Sequence, residues 1–140
     1  MTESTAGEAL TETTDTTVTV SRVVSCTAKN FWKALVSREG TDSLMGEGAI
    51  LGSKGESWSA ADGTFGVIRT YHPNEQVRFT WHANDDAPAT LVDLRLIPVG
   101  EGTRLELHHE NLPGGTDIDG LAARWNDVLD LLSGLSCSGA

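Results

Sequence analysis

From Ser57 to Glu110 the apolar residues recur at every second position; from Leu121 to Leu135 they recur at every third and fourth. That change of period constrains the fold more than any other feature. A period of two is a strand with one apolar face, and a period of three to four is an amphipathic helix. In "QVRFTWHA", Val77, Phe79 and Trp81 alternate with Arg78, Thr80 and His82. In "TLVDLRLIP", Val92, Leu94 and Leu96 alternate with Asp93 and Arg95, and in "TRLELHHE", Leu105 and Leu107 alternate with Arg104 and Glu106. "ESWSA" and "TFGVIRTY" precede these strands, and "ADG", "HPNE", "NDDAP" and "VGEG" mark the turns between them. After "NLPGG" breaks the sheet, Leu121, Trp125, Val128, Leu129, Leu132 and Leu135 form a helical stripe, with Thr116 or Asp117 able to cap it. The apolar sheet face needs a cover, and this helix is the only element long enough to supply one.

The N-terminal part adds a strand and a helix. "TTVTVSRVVS" places Val18, Val20 and Val24 on one face. "TAKNFWKALVS" changes to a helical stripe of Phe31, Trp32 and Leu35, capped by Thr27 and expected to stop near Gly40. The Gly-rich "GTDSLMGEGAILGSKG" is expected to hold a short helix at 43–45 and a short strand at 49–51. The Thr/Glu-rich residues 1–15 contain little to bury and are expected to be a disordered acidic tail. A single domain is expected over 16–136, with a short flexible tail at 137–140. The order of elements is α+β, with helices segregated to one side of an antiparallel sheet.

The length of 140 residues suits one domain, and a net charge of −10 argues against nucleic acid or an anionic membrane as partner. No apolar run approaches the ~20 residues of a membrane-spanning helix, so no integral membrane association is expected. The start carries no secretory signal pattern, and the two cysteines, Cys26 and Cys137, read as reduced thiols. A cytoplasmic location is expected.

"HHE" at 108–110 invites a metal reading, which strand geometry opposes. Adjacent strand residues point to opposite faces, so His108 and His109 do not ligate one ion together. His109 continues the inward row of Leu105 and Leu107; His108 shares the outer face with Arg104 and Glu106. His109 is therefore either a core-edge histidine or a polar group that orients a ligand. Trp32, Phe79, Trp81 and Trp125 can all face the interior, as core or as cavity wall. No nucleophile elbow, phosphate loop or dinucleotide fingerprint is present. The residues thus assign no catalytic group, metal ligand or cofactor, and enzymatic activity is left open, leaning towards none.

Several pieces together resemble the START-like (SRPBCC, helix-grip) superfamily: "AKNFWKAL", "GVIRTYHP" from Gly66, "QVRFTW", "GEGTRLELHHENLP" and "RWNDVLDLL". They span about Thr16 to Leu135 and are most similar to the branch named after the activator of heat-shock protein 90 ATPase. "REGTDSLMGEGAILG" departs from that branch in lacking an aromatic residue, and Asn111 stands where glycine is common. The resemblance implies a helix-grip fold, a curved antiparallel sheet of about six or seven strands wrapped around the long C-terminal helix, with an apolar cavity between. Alignment with the family puts Gly66, Ile68 and Thr70 inward and Val67, Arg69 and Tyr71 outward. Trp32, Ile68, Thr70, Phe79, Trp81, Leu94, Leu107, His109, Trp125 and Leu129 are then the candidate ligand-binding residues. Three functions follow: binding of a hydrophobic small molecule or acyl chain; a co-chaperone-like protein-interaction domain associated with the stress response; or a cyclase- or hydrolase-like enzyme using His109.

Overall fold

Alternation carries straight through into a seven-stranded antiparallel sheet. The computed structural model describes residues 9–50, 52–82 and 86–137. The strands are β1 (Ala9–Thr13), β2 (Val18–Val24), β3 (Ser57–Ser59), β4 (Phe65–His72), β5 (Gln76–Trp81), β6 (Thr90–Val99) and β7 (Gly102–Glu110). Their order across the sheet is β1-β2-β7-β6-β5-β4-β3. Helices α1 (Ala28–Leu35) and α2 (Arg38–Leu44) follow β2, and α3 (Ile118–Cys137) closes the chain. This is the α+β helix-grip architecture.

Registration turns the alternating strands into rows. One inner row runs Val18, His109, Val92, Phe79 and Ile68 across five strands. The next runs Val20, Leu107, Leu94, Val77 and Tyr71. Against these rows lies α3, whose Trp125, Leu129 and Leu132 are fully buried; it also packs on α1 and α2. Each fully buried side chain of this size contributes about 1.5–3 kcal/mol. Asp117 begins the helix, its Oδ1 accepting from the Gly120 N–H at 3.1 Å. On that same face of the sheet Arg22 of β2 pairs with Asp130 of α3.

The pairing of β4 with β5 contains a bulge between Ile68 and Thr70. A single extra residue reverses the facing of every residue after it. Gly66 and Ile68 are buried, as expected, but Thr70 falls on the outer row with Arg78, Asp93, His108 and Thr19. Tyr71 turns inward, with its ring centroid 5.5 Å from that of Trp32. The expected inward Thr70 and outward Tyr71 are therefore reversed.

Other expectations are corrected at the N-terminal end. Ala9–Thr13, expected to be tail, is a strand paired with β2. An edge strand is held by its backbone ladder and does not need apolar side chains. The rest of that expected tail, 1–8, lies outside the described residues, as does 138–140, while Cys137 is the last residue of α3. The first helix ends at Leu35 rather than near Gly40, and a second begins because the Ser37 hydroxyl caps the Gly40 N–H at 3.2 Å. Gly40 packs so closely on the Ala34 carbonyl that a side chain there has no room. Ala49 and Ile50 are not in a strand, and Leu51 lies outside the described residues. Cys26 is disulfide-bonded, in place of the expected reduced thiol. No helix among the described residues is long and apolar enough to cross a membrane.

Candidate functional site

His109 is the one polar side chain in its inner row, and it is 0% exposed. Its neighbours satisfy both ring nitrogens. Trp125 on α3 donates its indole N–H to Nδ1 at 3.1 Å. The indole can only donate, so Nδ1 accepts, and the neutral ring carries its proton on Nε2. Nε2 in turn lies 2.7 Å from Thr90 Oγ1. That hydroxyl spends its own proton on the Trp81 carbonyl at 2.8 Å, so it accepts from the histidine. The result is a continuous array, Trp125 to His109 to Thr90 to the Trp81 backbone, in which every donor finds an acceptor. Both indoles also meet the imidazole edge to face, with centroids at 5.1 Å for Trp81 and 5.7 Å for Trp125.

Burial pushes the His109 pKa down to about 4, aided by the positive charge of Arg124. Protonation would also place an N–H where Nδ1 now accepts from Trp125. Neither nitrogen has a spare lone pair with which to take a proton from a substrate. His109 therefore ties Trp81, Thr90 and Trp125 to one another.

In front of this array lies a pocket of about 340 Å³. Trp81, Pro88, Leu112, Pro113 and Leu121 form its apolar walls, with Thr90, Asp117 and Arg124 among the polar groups. It sits where the first turns of α3 leave the sheet, bounded by Ala87 and Pro88 and by the 111–116 loop. Asn111 makes that exit possible: its φ of 64° lies in the left-handed region, which glycine and asparagine tolerate best. The Arg124 guanidinium carbon lies 5.6 Å from the Trp81 ring centroid and 5.4 Å from that of Trp125, within cation–π range of both. The Trp81 indole N–H is buried without a hydrogen-bond partner among the described residues.

Of the ten residues expected to contact a ligand, Trp81 lines this pocket, and His109 and Trp125 stand directly behind it. Ile68, Phe79, Leu94, Leu107 and Leu129 lie deeper, each 0% exposed. Trp32 packs on Tyr71 at the far side. Thr70, displaced by the bulge, instead joins Lys54, Arg69 and Arg78 at a depression of about 490 Å³ on the outer face. Sequence reasoning missed Arg124, Leu121, Leu112 and Thr90. A signal existed for two of them: Leu121, Arg124 and Trp125 are spaced three and four apart, so they share one side of α3.

Solved structures share this fold. CalU16 from Micromonospora echinospora superposes with a TM-score of 0.74 at 19% identity, covering 93% of this chain and 85% of its own. The Aha1 dimer from Colwellia psychrerythraea gives 0.69 at 17% identity, covering 89% and 98%. PFC0360w, an HSP90 activator from Plasmodium falciparum, gives 0.67 at 16% identity, covering 80% and 89%. At these identities the likeness shows the fold alone. No curated protein matches the chain in sequence. Residues 25–136, most of the chain and all of the site described above, match the family description "Activator of Hsp90 ATPase homolog 1-like protein", and the chain belongs to that family.

Proposed function

We propose that this protein binds a small molecule with an apolar body in the pocket between Trp81, Leu112, Pro113 and Leu121. The observation that carries this reading is the pocket itself. Its volume of about 340 Å³ falls within the range of small-molecule sites, and its wall is mainly apolar with a few fixed polar groups. The array behind it supports the reading further. His109, Thr90 and Trp125 hold Trp81 rigidly, so a ligand meets a wall that is already formed. The site requires no catalysis, and the fully engaged imidazole gives a cyclase or hydrolase no base.

The neutral fluorophore N-phenyl-1-naphthylamine tests this. A saturable one-to-one enhancement is expected with the wild-type protein. Leu121→Trp, which fills the pocket from its half-buried helical position, abolishes it while the urea midpoint stays near that of the wild type. Absence of saturable binding, or binding indifferent to Leu121→Trp, refutes the reading.

The family description favours a second reading, a co-chaperone-like role on an Hsp90-type ATPase. Its test is the ATPase rate of Hsp90 with and without added protein. An unchanged rate, together with no co-elution of the two proteins, removes it.

A further inference from the structure

Resting on the pocket as the binding site, we propose that its ligand is an acid: an apolar-bodied molecule whose carboxylate pairs with Arg124, the residue that sets specificity.

The argument starts from unmet donors. Arg22, Arg78, Arg95 and Arg104 each pair with an Asp or Glu. Arg124 is half-buried at the pocket wall, and among the described residues no carboxylate lies within ion-pair distance of it. Its charge rests against the Trp81 and Trp125 rings, a contact that fixes the guanidinium but supplies no carboxylate or carbonyl oxygen to its N–H groups. The Trp81 indole N–H also lacks a hydrogen-bond partner among the described residues, but that nitrogen is buried, so Arg124 carries the argument.

The nearby side-chain oxygens have partners other than Arg124. Asp62, whose carboxyl is held below its usual range chiefly by the Thr64 hydroxyl and N–H and also by the Arg124 charge, gives its Oδ1 to Thr64 at 2.7 and 3.1 Å. Asp117, in the pocket wall, gives its Oδ1 to the Gly120 N–H at the start of α3. The hydroxyls of Thr90 and Thr116 donate to the carbonyls of Trp81 and Pro113. What Arg124 lacks is therefore a carboxylate of its own: the one in the wall, Asp117, lies beyond ion-pair distance of the guanidinium, and its charge opposes an incoming acid that does not reach Arg124. A planar guanidinium binds a carboxylate through two parallel N–H bonds, and the apolar surroundings strengthen the pair. The chain's charge of −10 works in the opposite direction, repelling anions in general. A preference for acids is thus a local property of Arg124 and not of the overall field.

The test displaces N-phenyl-1-naphthylamine with three probes that share a ten-carbon chain: decanoate, decanol and decyltrimethylammonium, all below their micelle concentrations. Decanoate is expected to bind about tenfold or more tighter than decanol, the gain from a charge-assisted hydrogen bond, with the cation weakest. Arg124→Gln brings decanoate to within about threefold of decanol, while Arg124→Lys, a charge without the fork, keeps part of the preference. Equal affinity for decanoate and decanol in the wild type overturns the proposal and leaves the pocket reading standing. So does a preference that survives in Arg124→Gln. The wild-type comparison does not depend on any variant folding. If the fluorophore does not bind at all, the pocket reading and this inference fall together.

Discussion

Acid should destabilise this protein through one residue, and the size of the effect follows from the array. His109 has a pKa near 4 in the folded chain against 6.5 for a free histidine. Above pH 6.5 the ring is neutral in both the folded and the unfolded state, so its burial carries no penalty from protonation. Below 6.5 the unfolded chain takes up a proton that the folded chain refuses. Stability then falls with decreasing pH until the folded pKa is reached near 4, and flattens below it. Each pH unit of that window is worth about 1.36 kcal/mol, which amounts to roughly 3 kcal/mol in total. Against the ~5–15 kcal/mol that holds most domains folded, this is a large share.

The assay is urea unfolding across that window, comparing the wild type with His109→Gln. The glutamine amide can accept from Trp125 and donate to Thr90 but cannot titrate. At neutral pH the variant is expected to be less stable by about 1–2 kcal/mol, from poorer hydrogen-bond geometry and packing. Between pH 6.5 and about 4 that gap closes and then reverses, because only the wild type carries the proton-linked loss. Every other group is common to the two proteins and cancels in the difference. A gap that stays constant with pH refutes the reasoning, since it means that His109 takes up its proton equally in both states. Ring nitrogen NMR gives the microscopic counterpart: a protonated Nε2 and an unprotonated Nδ1.

The same array predicts non-additive mutations. His109→Leu strands the Trp125 N–H and Trp125→Phe strands His109 Nδ1, whereas the double variant strands neither; the two losses should overlap by about 1 kcal/mol or more in urea unfolding. Additivity to within about 0.5 kcal/mol would show that the hydrogen bond contributes little. Gly66→Ala places a methyl group against the Thr80 carbonyl and the Trp58 indole nitrogen, which itself donates to that carbonyl at 3.1 Å. A loss of about 2 kcal/mol or more is expected, read as a lower urea midpoint, and an unchanged midpoint would mean that the backbone there yields easily.

How much of this was legible in the sequence depends on how local each determinant is. The inward facing of His109 was, because it needs only the phase of Leu105 and Leu107 along one strand. Its partners were not. Thr90 reaches it only because β6 pairs with β7 in the register that sets Val92 beside His109, and Trp125 only because α3 docks with that face down. The bulge in β4 was invisible for another reason: inserting one residue leaves composition and average period almost unchanged, yet it moves Thr70 to the opposite face and brings Tyr71 in. β1 escaped notice because backbone pairing leaves no trace in side-chain polarity. Arg124 is the most instructive case. A charged residue beside an apolar helical stripe ordinarily marks where the buried face gives way to solvent. Here the first turns of α3 leave the sheet over Trp81, so the boundary of the stripe becomes the wall of a pocket, and a cation that would otherwise be hydrated rests between two indoles. The residues that make this a pocket rather than a core are those at the stripe's edge, where burial is decided by how the helix docks and not by its own sequence.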